Sequence, residues 1–208
     1  MSTDVSQLTP EKIRHFLSDA PAVKPFDEQI GKIRIKFPIL KPAAVLMPLF
    51  EAHGEWHLLF TRRADTLVDH KGQVSFPGGT REEGDPDLAF TALRETYEEI
   101  GVKPTDITLL GVLPPRELIT GYLVTPFVGR VPWPYPLKIS IEEVVRVFSM
   151  PLNWLIDEDN RYLKRQFYLG QKFQVLYYKL YDGETLWGAS ASMTLELLDM
   201  LRLNGHVR

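Results

Sequence analysis

The sequence contains no cysteine, no long hydrophobic run and no excess of positive charge. Without cysteine the chain forms neither disulfides nor a thiolate metal site, which favours a reducing compartment, so we expect a cytoplasmic protein. No apolar stretch reaches the roughly 18 residues of a membrane-spanning helix, and the N-terminus lacks the apolar core of a signal peptide. The net charge of −3 argues against a broad basic surface. We therefore expect neither a nucleic-acid partner nor a membrane partner.

The 208 residues, 44% of them hydrophobic, suffice for one domain with its own core. Strand-like apolar runs separated by turns, with helical segments between and after them, predict a mixed β-sheet flanked by helices, an α/β/α sandwich. Nothing marks a second domain. We predict a single domain over residues 1–208, with an N-terminal helical arm at about 1–30, a core at about 36–160 and C-terminal strands and a helix at about 161–208.

The elements follow from turn and capping signals. Thr9-Pro10-Glu11 predicts a helix start, and His53-Gly54 and Asp182-Gly183 predict tight turns. A short helix is expected at 150–156, and an amphipathic one at 189–203. Trp187 is expected to pack against this last helix, and a base-stacking platform is the alternative. Strands are predicted at 32–37, 43–50, 56–61, 107–113, 123–131, 144–149, 161–169 and 174–181.

Residues 94–101, Arg-Glu-Thr-Tyr-Glu-Glu-Ile-Gly, form the most informative segment. On a helix, Glu95, Glu98 and Glu99 fall within an arc of roughly 100°. Three carboxylates so close repel one another unless a cation joins them, and a hard divalent ion such as Mg²⁺ prefers oxygen ligands. A solvated acidic face is the alternative. The opposite, core-facing side is predicted to hold Ala89, Phe90, Leu93, Tyr97 and Ile100.

A glycine-rich loop precedes this helix. The strand-like residues 73–76 lead into Pro77-Gly78-Gly79, where the backbone can turn tightly and expose its carbonyl groups. Either Asp85 or Asp87 can cap the helix, and Gly101 stands where it should end. The sequence therefore predicts a strand, then a glycine loop, then a helix that has one carboxylate face and ends at Gly101.

This unit resembles the Nudix box: Gly, five residues, Glu, seven residues, Arg-Glu, an apolar residue, any residue, Glu-Glu, any residue, Gly and an apolar residue. The matching positions are Arg94, Glu95, Glu98, Glu99, Gly101 and Val102. Two positions depart from the pattern. Thr96 replaces the apolar residue after Arg-Glu, and the loop is one residue longer, so that Asp85 best matches the first Glu and Glu83 is a weaker match.

A second motif resembles the coenzyme A pyrophosphatases within that family. It comprises residues 59–64, Leu-Phe-Thr-Arg-Arg-Ala, and residues 70–79, His-Lys-Gly-Gln-Val-Ser-Phe-Pro-Gly-Gly. Phe60 stands where that pattern has a second Leu, and Val68 stands where it has a further Arg. The resemblance extends over about residues 43–200, including Thr125-Pro126-Phe127-Val128-Gly129 and Trp187-Gly188-Ala189.

The resemblance implies hydrolysis of coenzyme A or an acyl-coenzyme A to 3′,5′-ADP and 4′-phosphopantetheine or its acyl derivative. Mg²⁺ or Mn²⁺ would be held by Glu95, Glu98, Glu99 and the Gly79 carbonyl. Arg94 would hold a neighbouring Glu in place. Arginine forms paired hydrogen bonds with phosphate oxygens, so Arg62 and Arg63, with Gly78 and Gly79, are expected to contact the substrate. His70 and Lys71 bring further donors to this loop.

The residues and the resemblance allow alternatives for the general base, the substrate and the quaternary structure. Glu95, Glu117 and Glu143 are alternative general bases, Glu143 could be a further metal ligand, and Asp85, Glu117 and Glu143 could each be ordinary solvated or capping acids. ADP-ribose or another nucleoside diphosphate derivative is the alternative substrate, and a non-catalytic nucleotide-sensing module is a second alternative. A homodimer joined through the N-terminal arm or the last helix is a working hypothesis.

Overall fold

The computed structural model describes residues 4–19, 37–64, 72–168 and 170–203. The helices are α1 (Pro10–Asp19), α2 (Leu88–Ile100), α3 (Leu152–Ile156) and α4 (Gly188–Met200). The strands are β1 (Lys41–Ala52), β2 (Glu55–Arg63), β3 (Val74–Ser75), β4 (Gly78–Thr80), β5 (Thr108–Val112), β6 (Arg116–Glu117), β7 (Tyr122–Arg130), β8 (Val144–Pro151), β9 (Arg161–Tyr168) and β10 (Gln171–Tyr178).

Strand β1 lies at the centre of an eight-stranded mixed sheet. It pairs in parallel with β7 along one edge, while its other edge pairs antiparallel with β4 and then with β2. The central order is β3-β2-β1-β7-β5, with β8 on β2 and β6 on β7. Strands β9 and β10 form a separate antiparallel hairpin. The predicted mixed α/β fold is confirmed.

The two faces of β1 bury different clusters, because successive side chains of a strand point to opposite sides. Ala44 and Leu46 pack with Ala92 of α2. Met47 and Leu49 belong to the larger core, which also contains the buried residues of α1, α3 and α4. The sheet is therefore covered on both faces, with α2 on one side and the other three helices contributing to the opposite core.

Helix α2 buries a different face from the predicted one. Phe90 and Tyr97 are 46% and 51% exposed, whereas Ala92 and Thr96 are fully buried. The prediction was wrong because it ranked residues by hydrophobicity, while the close packing of α2 on β1 favours small side chains. The Thr96 hydroxyl donates to the Ala92 carbonyl at 2.6 Å, so its burial leaves no unpaired donor. Ile100 is buried as expected.

The last helix, α4, is not amphipathic. Every residue from Ser190 to Met200 except Asp199 is buried. The charge of Glu196 is matched by Arg116 of β6, which donates to its carboxylate at 2.7 Å with both side chains buried. The prediction failed because α4 has neighbours on nearly every side, so that its hydroxyl groups and its one buried carboxylate find partners inside the protein.

Most of the predicted turns and caps are confirmed. His53 and Gly54 have φ of 53° and 79° in the β1–β2 turn, and Asp182 and Gly183 have φ of 48° and 79°. Thr9 accepts from the Lys12 amide at the start of α1. The strand predicted at 32–37 lies almost wholly outside the described residues. Strand β10, predicted at 174–181, begins and ends three residues earlier, at 171 and 178. Within the described part of the chain, no helix is long and apolar enough to cross a membrane.

Candidate active site

The glycine loop adopts an extended path beside β1. Val45 pairs with Gly78, and Ala44 pairs with Gly79. A Cβ at position 78 would lie 2.3 Å from the Ala44 carbonyl oxygen, and the φ of Gly78 is +154°. Both observations restrict position 78 to glycine. The loop is thus fixed by backbone contact with the central strand.

Glu95 of α2 rests directly over this loop. A Cβ at position 79 would lie 2.5 Å from Glu95 Oε1 and 2.6 Å from Glu95 Oε2. The absence of a side chain at Gly79 therefore makes room for the carboxylate. Burial raises the pKa of the Glu95 carboxyl, and the charges of Glu98 and Glu143 add to the increase, while Arg94 opposes it.

Glu99 is the most buried of the three helix carboxylates, with only 2% of the residue exposed. Burial raises the pKa of its carboxyl to about 8, and the charges of Glu95 and Glu143 act in the same direction. Arg63 of β2 opposes this increase, with its Nη1 3.8 Å from Glu99 Oε1. Among the described residues, Glu99 Oε2 has no hydrogen-bond partner. A buried, unpaired oxygen is costly, which makes Glu99 a natural ligand for a cation.

Arg94 organises the acidic groups around it. Its Nη1 donates to Glu95 Oε1 at 3.0 Å and to Glu98 Oε2 at 2.8 Å. Its Nε and Nη2 donate to the two carboxylate oxygens of Asp85 at 3.0 and 2.9 Å. Another bond, from Nη2 to the Thr80 carbonyl at 3.3 Å, ties the helix to the end of β4. One guanidinium therefore links the loop and two of the three helix carboxylates.

Asp85 and Asp87 have separate tasks. Asp87 caps α2 by accepting from the Phe90 amide at 2.7 Å. Asp85 is 4% exposed and accepts from Arg94, from the Thr91 hydroxyl at 2.8 Å and from the Glu82 amide at 3.0 Å. These donors, Arg94 above all, hold the pKa of the Asp85 carboxyl far below its usual range. Asp85 thus fixes the long loop and Arg94, and its acceptor positions are already used.

The donor set fits a hard divalent cation. Glu95 and Glu99 offer carboxylate oxygens in the same region, and Glu143 lies near enough for its charge to raise both pKa values. Glu98 is more exposed, and its carboxylate is bonded to Arg94. Within the described residues, no three His, Cys, Asp or Glu side chains already converge into a preformed metal cluster. A cation would therefore draw Glu95 and Glu99 together and would relieve their mutual repulsion.

A pocket of about 710 Å³ opens beside the glycine loop. Its wall includes Gly78, Gly79, Arg63 and Glu117, and it continues between the β9–β10 hairpin and the start of α4. This volume is within the range of about 300–1,000 Å³ that is typical of small-molecule sites. The carboxylate helix therefore stands next to a chamber large enough for an extended ligand.

The predicted site residues divide into two groups. Arg63 lines the pocket and faces Glu99, whereas Arg62 points to the buried Glu184, with its Nη1 3.6 Å from Glu184 Oε1. The adjacent arginines point apart because β2 is a strand. Glu117 lines the pocket, while Glu143 is near the helix carboxylates. Val68, His70 and Lys71 lie outside the described residues.

Sequence reasoning missed the far wall of the pocket. Trp187, for which packing on the last helix was favoured over a base-stacking role, stacks on Tyr177 with ring centroids 5.5 Å apart and planes at 7°. Both rings line the pocket, together with Gln166 and Phe173 of the hairpin. Trp187 belongs to the Trp187-Gly188-Ala189 segment of the resemblance, but no sequence signal connects it with the hairpin residues, because these elements are brought together only in the folded chain.

Comparisons with known proteins agree with this geometry. A model of the NUDIX domain matches residues 40–169. A Salmonella newport protein described as an uncharacterized Nudix hydrolase, NudL, is 35% identical over 196 residues, covering 93% of this chain and 95% of that protein. A protein of the same description from Cronobacter sakazakii is 38% identical over 157 residues, covering 76% and 81%. The crystal structure of a MutT/nudix family protein from Enterococcus faecalis matches with a TM-score of 0.51 at 14% identity, covering 92% and 74%, and supports the fold. The chain therefore belongs to the Nudix hydrolase family.

Proposed function

We propose that this protein is a divalent-metal-dependent pyrophosphatase that hydrolyses coenzyme A or acyl-coenzyme A to 3′,5′-ADP and 4′-phosphopantetheine or its acyl derivative. The observation that carries the proposal is the position of the pocket. Its wall brings Arg63 and Glu117 together with the Gly78-Gly79 backbone beside Glu95, and it also includes apolar side chains of the hairpin and of α4. A diphosphate beside the glycine loop, with a long organic arm in the remaining space, matches this arrangement.

Nudix hydrolases generally use divalent metals, and Mg²⁺ or Mn²⁺ is the ion that we propose here. Glu95 and Glu99 would hold it, with Glu98 and the Gly79 carbonyl as further ligands. When bound, such an ion neutralises pyrophosphate oxygens and acidifies a bound water molecule. The Oε2 atom of Glu99, buried and without a hydrogen bond among the described residues, supports its assignment as a ligand.

The remaining side chains hold these groups and the substrate. Arg94 keeps Glu95 and Glu98 aligned through its two bonds from Nη1, and Asp85 holds Arg94 in turn. Arg63 sits between Glu99 and the pocket, where its positive charge favours phosphate.

Three acidic residues are alternatives for the general base. Glu143 is close enough to Glu95 and Glu99 to raise their pKa values, which suits an additional ligand or a base acting at the metal site. Glu117 lies instead on the wall of the pocket, next to the position that we propose for the substrate. Glu95 itself stays the third alternative.

The decisive experiment is to incubate the purified protein with coenzyme A or ADP-ribose at equal concentration, with Mg²⁺, with Mn²⁺ or with a chelator. We expect 3′,5′-ADP and 4′-phosphopantetheine from coenzyme A, identified by mass spectrometry, and no turnover with the chelator. Faster hydrolysis of ADP-ribose would contradict the proposed substrate. Binding without any turnover would favour a sensing module.

We also propose that the whole chain acts as one domain on a small nucleotide-derived substrate, that it is located in the cytoplasm and that it forms a homodimer. Light scattering at several protein concentrations tests the homodimer.

A further inference from the structure

The pocket behind the glycine loop has an uneven distribution of charge. Among the described residues that line it, Arg63 and Glu117 carry the only formal charges, and Arg63 lies beside Glu99. The lining also includes buried apolar side chains from the sheet, the hairpin and α4, which we call the apolar floor: Val74, Phe76, Val124, Leu176 and Met193. The chamber is therefore suited to a neutral and largely apolar group.

The two halves of coenzyme A differ in charge. The nucleotide half carries a 3′-phosphate, whose burial without a cation would be very costly. The pantetheine half is uncharged and has two amides, which match the neutral polar side chain of Gln166 on the hairpin side of the pocket. An acyl group attached to its sulfur would extend this neutral arm further.

Helix α4 provides part of the wall of the chamber. Ala189 and Met193 are four residues apart, so they lie on the same face of the helix, and both line the pocket. Ala189 has a small side chain, whereas the longer Met193 side chain is 4% exposed and belongs to the apolar floor. A larger residue at 189 would reduce the volume of the pocket, and a smaller one at 193 would increase it.

Resting on the proposed function, we infer that this chamber receives the acylated pantetheine arm and that Ala189 and Met193 set the length of acyl chain that the enzyme accepts. The substrate class is then acyl-coenzyme A of intermediate chain length rather than free coenzyme A. Each methylene group that enters the apolar floor should raise kcat/KM by up to about fourfold, until the chamber is filled.

The test compares kcat/KM for free, acetyl-, butyryl-, octanoyl- and palmitoyl-coenzyme A in three variants and the wild type. We expect the wild type to prefer octanoyl- over free coenzyme A by about tenfold or more. Ala189→Phe should move the optimum to shorter chains, and Met193→Ala should move it to chains about two carbons longer. Leu180→Ala, an exposed position outside the pocket lining, is the matched control and should keep the wild-type optimum.

A binding measurement separates this inference from the proposed function. Octanoyl-pantetheine, which has no nucleotide, should bind to the wild type in calorimetry and should bind more weakly to Ala189→Phe. Absence of coenzyme A hydrolysis would refute the proposed function, yet octanoyl-pantetheine binding would still support the chamber. Equal kcat/KM for all chain lengths, no binding of octanoyl-pantetheine, or weaker binding of 3′,5′-ADP to Ala189→Phe would overturn the inference. If Ala189→Phe fails to fold, the direction of the shift in Met193→Ala decides.

Discussion

The Cα atom of Gly79 faces the carboxylate of Glu95 so closely that even a methyl group at position 79 would lie 2.5 Å from Glu95 Oε1. The loop and the helix therefore fit together through the absence of a side chain. Because the group in the way is the end of a side chain rather than backbone, a substitution at Gly79 should displace Glu95 without disrupting the fold.

Gly79→Ala tests this relationship. We expect activity to fall by about 10²-fold, since a shift of the order of 1 Å in a catalytic group has that effect. The free energy of unfolding should change by about 1 kcal/mol or less. Gly78→Ala is the matched comparison, because its Cβ would meet the Ala44 backbone oxygen at 2.3 Å, and it should lose about 3 kcal/mol of stability. Full activity in folded Gly79→Ala would contradict the placement of Glu95.

Glu99→Gln should have opposite effects on activity and stability. Loss of a charged ligand should lower the rate by on the order of 10² or more. The pKa of Glu99, raised to about 8 from 4.5, means that the folded state binds a proton which the unfolded chain releases between these pH values. The metal-free wild type should therefore lose stability as pH rises from about 5 to 8, by on the order of 3 kcal/mol.

Chemical denaturation of the metal-free protein at several pH values measures this effect. Glu99→Gln removes the titrating group, so it should show a flatter pH dependence and should be the more stable protein at about pH 8. Glu98→Gln, at a more exposed position on the same helix, is the control. A wild-type stability that rises over this range would refute the burial argument.

Asp85→Asn should weaken the folded state at neutral pH. Removing the charge that pairs with Arg94 in a buried site should cost about 3 kcal/mol. The pKa of Asp85 in the folded protein lies below its ordinary value of 3.8, so its stabilising effect is complete above that value and is lost as pH falls further. The difference between wild type and variant should shrink steadily below about pH 4.

Urea unfolding between acidic and neutral pH measures that difference. Asp87→Asn is the matched control, because asparagine caps a helix about as well as aspartate, and its stability should change by a few tenths of a kcal/mol. A difference for Asp85→Asn that stays constant down to strongly acidic pH would exclude the pairing with Arg94 as its cause.

The neighbouring arginines provide a paired test. Arg63→Gln should lower kcat/KM by about 10- to 100-fold, because Arg63 lies between Glu99 and the pocket and favours phosphate. Arg62→Gln should cost about 1 kcal/mol of stability or less, since it weakens a partly exposed contact with Glu184. Its steady-state kinetics should stay near those of the wild type. An equal loss of kcat/KM in both variants would restore Arg62 as a substrate contact.

Local signals in the chain were sufficient for the predicted turns and for the ends of α2. Gly101 ends α2 in the left-handed conformation with φ of 74°, as its position after the apolar periodicity indicated. The spacing of Glu95 and Glu99 places both on the helix side that approaches the glycine loop. These features depend on residues near one another in sequence, whose steric and hydrogen-bonding preferences act before any long-range contact.

Long-range packing determined the buried face of α2, the partners of the two arginines and the composition of the pocket wall. Tyr97 is exposed and Thr96 buried because α2 lies close to β1, and the periodicity of the helix alone could not indicate that distance. Arg62 and Arg63 are adjacent in sequence, but Arg62 contacts Glu184 and Arg63 contacts Glu99. Only the elements packed on either side of β2 determine these different partners. The pocket wall joins residues more than a hundred positions apart, such as Gly79 and Trp187. Proximity of that kind arises when the chain buries its apolar surface, so it becomes visible only in the folded molecule.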